Sequence, residues 1–277
     1  MLKQNPFSLY DFLGYFIPGA LLSYLIVSIN YIESITTSFV LNDLINNTIK
    51  VQFNKVFFFI IISYAIGHLI NFISSTTIEQ YANWKYNYPS KYLLGYNYKG
   101  MWNIKKPSSY LWRITLLILV FPITILDFLI GNVFGFNKFY TKKLDDFLID
   151  LITSKGESLM NTLINKELKK KYKDIQLRDY DFHRIISHYT FETSKNHQFR
   201  MINYVVLYGF LRSMTLITII SIWYIIINHF EKLTENKIIT VLLILSTIAY
   251  IFFMAFMKFY RRYTLEAFMI ISIDENL

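Results

Sequence analysis

Residues 56–75 read VFFFIIISYAIGHLINFISS, and this stretch decides the fold class. It contains no Asp, Glu, Lys or Arg over the roughly 20 residues that a helix needs to cross a bilayer. Residues 56–62 are all large and apolar, so a helix here has no face suited to water. The stretch therefore predicts a membrane-spanning helix.

Three further windows have the same character, at 12–32, 213–230 and 238–257. Only residues 228–237 separate the last two, which predicts an antiparallel helical hairpin. The whole chain of 277 residues is 54% hydrophobic and 17% charged, with a mean hydropathy of +0.34. Soluble domains average about 45–50% apolar residues and about 25% charged residues. We expect an all-α, polytopic integral membrane protein with about four transmembrane helices and a helical cytoplasmic domain.

The windows divide the chain into four predicted regions. They are an N-terminal transmembrane pair at 1–75, a cytoplasmic helical region at 76–201, a C-terminal transmembrane hairpin at 202–257 and a cytoplasmic tail at 258–277. The first apolar window is not followed by a small-residue cleavage site, so we expect it to remain as an anchor. The sequence has no cysteine, which excludes disulfides and thiolate metal sites.

Residues 111–136 are apolar but interrupted by Pro122, Asp127, Gly131 and Gly135. If this segment does not cross, only Lys50, Lys55, Lys232 and Lys237 lie outside, Arg212 lies in or near a span, and the other 23 basic residues are cytoplasmic. The positive-inside rule favours that arrangement. We predict an interfacial or re-entrant segment, with both chain termini in the cytoplasm.

The cytoplasmic region is basic and aromatic. Tyrosines, tryptophans and lysines alternate over 76–112, which is more typical of contact with lipid headgroups than of nucleic-acid binding. Residues 144–172 predict a helix with a break near Gly156. A run of lysines follows, which is either a solvated face or a site for an anionic ligand or headgroup; its members are Lys166, Lys169, Lys170, Lys171 and Lys173.

Catalytic and metal motifs do not stand out. His183 and His188 are five residues apart, about 140° around a helix, which does not suit a shared metal ion. The sequence shows no serine elbow, phosphate loop or kinase signature. We therefore expect neither an enzyme nor a metal or other cofactor.

Polar residues recur on one face of three of the four predicted spans. The stripes are Ser63, Gly67, Asn71 and Ser74 in the second span; Tyr208, Arg212, Thr215 and Thr218 leading into the third; and Gly19, Ser23 and Asn30 in the first. Such stripes mark helix packing, or line a water-filled path when they meet around an axis. His68, Asn71, Arg212, Thr215 and Thr218 form the predicted pore or polar membrane cluster.

Pro18 and Gly19 lie inside the first predicted span. Proline removes one backbone hydrogen bond, so we expect a kink at this point, and a hinge is the functional alternative.

The segments FSLYDFLGYFIPGALLSY at 7–24 and FRMINYVVLYGFLRSM at 199–214 resemble bacterial membrane proteins that accompany phage-defence genes. The chain is similar to the membrane effectors of Hailong systems and, more distantly, to the four-span component of Kiwa. The resemblance implies a homo-oligomeric inner-membrane effector that perturbs the membrane on a cytoplasmic signal. It also implies a partner such as a nucleotidyltransferase, or that partner's product.

Two functions follow as expectations. The first is a gated ion channel or membrane-permeabilising protein of anti-phage defence. The second is a non-conducting membrane anchor or sensor that recruits a soluble effector.

Overall fold

The computed structural model describes residues 11–34, 53–96, 100–103, 107–164, 176–177, 181–233, 235–275 and 277. It is 86% helical, and these ranges contain no strand. The α-helices are α1 Ile17–Ser34, α2 Phe53–Ser74, α3 Gln80–Tyr86, α4 Pro89–Tyr92, α5 Pro107–Leu119, α6 Phe121–Leu126, α7 Lys138–Thr141, α8 Asp146–Thr162, α9 Phe182–Thr193, α10 Lys195–Asn228 and α11 Asn236–Ile273. The prediction of an all-α chain is confirmed for the described residues.

Three helical stretches are long and apolar enough to cross a membrane: Val56–Tyr92, Lys195–Asn228 and Asn236–Ile273. A bent pair, Ser109–Leu119 with Phe121–Val133, makes a fourth if it counts as one span. The predicted first span is represented by the shorter apolar helix Phe12–Ile26, whose backbone stays helical to Ser34. The chain therefore has the helices of a membrane protein.

α10 and α11 are longer than a bilayer requires. Their 34 and 38 residues correspond to about 51 and about 57 Å, against a hydrocarbon core of about 30 Å. α11 continues into residues 258–277, the predicted cytoplasmic tail, and ends at Ile273 without an intervening Pro or Gly.

The described residues form two compact units. The first, called the apolar unit below, combines the described parts of Met1–Ile78 with Gly209–Phe253, and the second, called the polar unit, combines those of Glu79–Tyr208 with Met254–Leu277. α10 and α11 each contribute residues to both units.

In the apolar unit, α1 and α2 approach closely where two glycines meet the opposite backbone. A Cβ added to Gly19 would overlap the carbonyl oxygen of Ser63, and one added to Gly67 would overlap that of Tyr15. Large side chains cover the outer face of α2, where Phe57, Phe58 and Phe72 are all more than half exposed. Small residues inside and large apolar residues outside are the arrangement expected of helices packed in lipid.

The polar unit has its own hydrophobic core. Its buried members come from the turn after α4, from α8, α9 and α10, and from the end of α11; they include Leu93, Ile152, Leu159, Phe182, Ile186, Met201, Phe268 and Ile271. The core explains why α11 continues past its apolar window, because Ala267, Phe268, Ile270 and Ile271 in its last turns are buried in it.

Gly156 does not break α8, so the predicted break near this residue is wrong. The helix runs through it from Asp146 to Thr162. A Cβ at Gly156 would lie 2.8 Å from Cδ1 of Leu177, a buried member of the core. The glycine therefore provides room for a neighbouring side chain while it keeps helical geometry.

Residues 111–136 form α5, α6 and a π-helical turn at Asp127–Val133, with a bend of 84° after Leu119. Pro122 lies in the first turn of α6, where its missing N–H costs nothing. The bend is the geometry of either a broken span or a re-entrant loop. Either way, the predicted interruption is present.

Candidate functional site

A buried arginine joins α10 to α2 in the apolar unit. Arg212 is 6% exposed. Its Nη2 donates to Oδ1 of Asn71 over 2.7 Å and to the Asn71 carbonyl oxygen over 3.3 Å. Its Nε donates to Oγ of Ser74 over 3.1 Å. The three oxygens are neutral, whereas the guanidinium is charged at any physiological pH.

Serines complete this arrangement. Oγ of Ser74 lies 3.5 Å from Oγ of Ser213 and also donates to the Asn71 carbonyl oxygen over 2.9 Å. Ser74 and Ser213 are both fully buried. Asn71, Ser74, Arg212 and Ser213 are called the Arg212 cluster below. Arg212 lies directly before residues 213–230, an uncharged run of 18.

The other predicted cluster members have different neighbours. Thr215 and Thr218 are buried, and their hydroxyls donate to the carbonyls of Leu211 and Met214 in their own helix. His68 stacks on the ring of Tyr15 at a centroid distance of 3.9 Å and meets Tyr64 edge-on at 4.6 Å. The structure therefore brings Asn71 and Arg212 together and gives His68 an aromatic environment.

Pro18 and Gly19 are buried where α1 begins. A π-helical turn at Phe12–Phe16 precedes them, and the amide of Ile17 donates to the carbonyl of Phe12. The wider turn reduces the steric clash between the proline ring and the carbonyl of Gly14.

The predicted anionic-ligand or headgroup site lies outside the described residues; its members are Lys166, Lys169, Lys170, Lys171 and Lys173.

A buried carboxylate occupies the bent pair of the polar unit. Asp127 has no exposed surface. Its Oδ2 accepts from Nζ of Lys85 over 2.6 Å and from the hydroxyl of Tyr81 over 2.9 Å, and its Oδ1 accepts from the hydroxyl of Tyr86 over 2.6 Å. These four residues are called the Asp127 cluster below.

Sequence reasoning missed the Asp127 cluster. Lys85 and Tyr86 belong to the aromatic and basic region 76–112, which is predicted to contact headgroups, and Asp127 enters only as an interruption of 111–136. The available signal was the spacing of Tyr81 and Lys85, which places both on one face of a helix. Nothing in that spacing identifies a carboxylate more than forty positions later as their partner.

A cavity of about 630 Å³ opens in the polar unit. Four tyrosines contribute to its lining: Tyr88 directly before α4, Tyr208 from α10, and Tyr260 and Tyr263 from α11. The ring centroids of Tyr208 and Tyr260 lie 5.2 Å apart, and those of Tyr208 and Tyr263 lie 6.1 Å apart. We call it the tyrosine cavity.

Charged and polar side chains complete the lining of the tyrosine cavity. Lys91 and Glu79 contribute one charge of each sign, and Arg184 lies 3.6 Å from Asp181 as an exposed ion pair. The lining therefore carries balanced charge instead of a basic excess.

His183 also lines the cavity. Burial lowers the pKa of His183 to about 4, an effect that the nearby carboxylate of Asp181 partly opposes. Its Nε2 lies 3.3 Å from Oγ of Ser187, and its ring meets Tyr263 and Phe268 edge-on. At neutral pH His183 is an uncharged hydrogen-bonding group.

His197, at the start of α10, contacts α11, since its Nδ1 lies 2.6 Å from Oε1 of Glu266.

Across the described ranges, no three His, Asp or Glu side chains come close enough to hold a metal ion. Comparisons with protein-family models, curated proteins and solved structures find no match for the chain. Its sites are therefore interpreted from their own geometry.

Proposed function

We propose that the chain forms, as a homo-oligomer, a gated pathway for ions across a bacterial inner membrane, and that the Arg212 cluster holds this pathway closed. The observation that carries the proposal is the burial of Arg212 at the start of an uncharged 18-residue run, with its guanidinium bonded to Asn71 and Ser74. Ionisable groups within membrane helices are expensive and commonly functional.

A purely structural role would be better served by other residues. Replacing a buried charged group and its partners by well-packed apolar residues is often neutral or stabilising. The bonds from Arg212 to Asn71 and Ser74 join α10 to α2, so small changes in helix position can break them. Such a contact suits an element with two states.

The polar stripe of α2 supports a closed state. Ser74 is buried, and both Asn71 and Ser74 bond to Arg212. If α10 moves away from α2, these two polar residues lose their bonds to Arg212 and can line a hydrated path. Release of the cluster would thus convert a packing surface into a conducting one.

The proposed topology has four crossings with both termini in the cytoplasm, in agreement with the positive-inside distribution. By the resemblance of residues 7–24 and 199–214, we assign the chain to anti-phage defence. The opening signal would come from a cytoplasmic nucleotidyltransferase or its product.

The test does not require the natural signal. Full-length Arg212→Leu is reconstituted into liposomes of phosphatidylethanolamine and phosphatidylglycerol, and release of entrapped carboxyfluorescein and potassium is measured. We expect release at least about tenfold above wild type, because loss of about 1.4 kcal/mol of closing energy changes an equilibrium tenfold. Arg262→Leu, at an exposed position of α11, is the matched control and should resemble wild type.

Folding is verified by helical circular dichroism and by a symmetric size-exclusion peak. Liposomes that stay as tight with folded Arg212→Leu as with wild type would contradict the proposal.

The second candidate is a non-conducting membrane anchor that recruits a soluble partner. The close contacts of Gly19 and Gly67 with the opposite backbone favour it, because they indicate a fixed α1–α2 pair. Absence of ion release from every variant, together with retained binding of a cytoplasmic partner, would establish the anchor instead.

A further inference from the structure

The tyrosine cavity combines chemistry that suits a zwitterionic phosphate. We propose that it binds a phosphate group that also carries an ammonium group, as in phosphoethanolamine. This inference does not depend on ion conduction, since it concerns binding within the polar unit alone.

Cations and hydroxyls in the lining match the phosphate end. Lys91 is half-buried and makes no ion pair within the described part of the chain. Ser90, its neighbour, is 8% exposed and also lines the cavity. Lysine ammonium and serine hydroxyl groups both donate hydrogen bonds to phosphate oxygens. Arg184 adds a second cation at the lining.

Aromatic rings and carboxylates match the ammonium end. Tyr208, Tyr260 and Tyr263 come together from two helices with tilted rings. Ammonium groups are attracted to tyrosine faces, as in the aromatic cages that bind choline. Glu79 lines the same cavity and supplies a negative charge.

The balance of charge distinguishes this ligand from a simple anion. The cavity lining carries two carboxylates, Glu79 and Asp181, against Lys91 and Arg184. His183 adds no charge at neutral pH, because burial keeps its pKa low. A multiply charged anion would add uncompensated charge to this balanced lining, whereas a zwitterion leaves the balance unchanged.

The cavity is also large enough for more than a headgroup. Its volume of about 630 Å³ lies within the usual range of roughly 300–1,000 Å³ for ligand pockets. Both a soluble phosphoethanolamine and the headgroup of phosphatidylethanolamine fit that space. Their shared chemistry is the proposal, and the experiment separates the two sources.

The first arm measures binding of soluble probes to the full-length chain in detergent by isothermal titration. We expect phosphoethanolamine to bind, and inorganic phosphate and ethanolamine to bind at least about tenfold more weakly, a difference of about 1.4 kcal/mol. Lys91→Gln should weaken phosphoethanolamine binding about tenfold, whereas Lys91→Arg should retain most of it. Lys143→Gln, at an exposed lysine of the same unit, is the control and should have no effect.

The second arm uses nanodiscs of phosphatidylglycerol with and without phosphatidylethanolamine, followed by native mass spectrometry. Retention of phosphatidylethanolamine by wild type, and its loss in Lys91→Gln, would identify the lipid as the source. Binding of the soluble probe alone would identify a free metabolite of the same chemistry.

Two outcomes overturn the proposal. One is equal binding of inorganic phosphate and phosphoethanolamine, which would show a simple anion site. The other is absence of binding in both arms by a chain whose wild type and Lys91→Arg form are folded. Neither outcome bears on ion release by Arg212→Leu, so the two proposals can fail separately.

Discussion

Two charged residues are buried in the described part of the chain, Arg212 in the apolar unit and Asp127 in the polar unit, and they are held in contrasting ways. Asp127 faces a lysine ammonium at 2.6 Å and two phenolic hydroxyls. Arg212 donates to an amide oxygen, a carbonyl oxygen and a hydroxyl. An opposite charge at short range fixes Asp127 strongly, whereas each bond from Arg212 to α2 goes to a neutral acceptor. The comparison indicates an anchor at Asp127 and a releasable contact at Arg212.

The largest effect is expected at the anchor. Asp127→Asn should cost about 3–5 kcal/mol of folding stability, because it leaves the ammonium of Lys85 without its carboxylate. The measurement is the apparent melting temperature in detergent. Asp146→Asn, which removes an exposed pair with Lys143, should cost less than about 1 kcal/mol. Equal losses in the two variants would remove the distinction between buried and exposed pairs.

The second-largest effect is expected in acid, which should lower the folding stability of the polar unit through His183. The folded-state pKa of His183 is about 4 against an ordinary value of 6.5. Between these values the unfolded chain binds a proton that the folded chain does not, so stability is full above about pH 6.5 and falls toward pH 4. The loss reaches up to about 3 kcal/mol, whereas Arg212 stays charged throughout.

This pH dependence is measured as the shift in melting temperature between about pH 7 and about pH 5. His183→Gln should flatten it, and His188→Gln, at an exposed position of the same helix, should leave it unchanged. An unaltered profile in His183→Gln would show that other groups cause the acid sensitivity.

Loss of the releasable contact should affect stability less than loss of the anchor. Arg212→Leu removes the donor that bonds to Oδ1 of Asn71. The loss should cost about 1–3 kcal/mol of folding stability. Adding Asn71→Leu should recover most of that loss, because an apolar pair replaces a polar one. A double-mutant cycle in thermal unfolding measures the recovery. A double variant less stable than the single one would show that the cluster is needed for folding.

The smallest effect is expected at Thr215. Within the described part of the chain, its hydroxyl bonds only to the carbonyl of Leu211 in its own helix. Thr215→Val should therefore change folding stability by less than about 1 kcal/mol and leave ion release nearly unchanged. Potassium flux in the Arg212→Leu background tests this. A large change in flux would place Thr215 on the conducting path.

Much of the apolar unit follows from sequence because lipid imposes a simple rule. Windows such as 56–75 lack charge over a bilayer's length, and a helical repeat puts Asn71 and Ser74 on the face that bonds to Arg212. The neighbours of His68 were not predictable in the same way. Tyr15 reaches it from another helix, and helix pairing is not encoded in the periodicity of either one.

The polar unit was harder to predict, since its contacts join distant segments. Asp127 and Lys85 are 42 residues apart, and the space around Gly156 is taken by Leu177. The continuation of α11 beyond 257 depends on a core formed with α8 and α9. Local patterns indicate helices here, but they do not indicate which helices meet.

A disulfide that joins α2 to α10 tests the central claim, that contact between these helices keeps the pathway closed. The chain has no natural cysteine, and Oγ of Ser74 lies 3.5 Å from Oγ of Ser213. Ser74→Cys and Ser213→Cys are therefore combined with Arg212→Leu, and bond formation is verified by mass spectrometry. We predict liposomes that leak when reduced and become tight when oxidised, whereas leakage that persists with the disulfide formed would contradict the account.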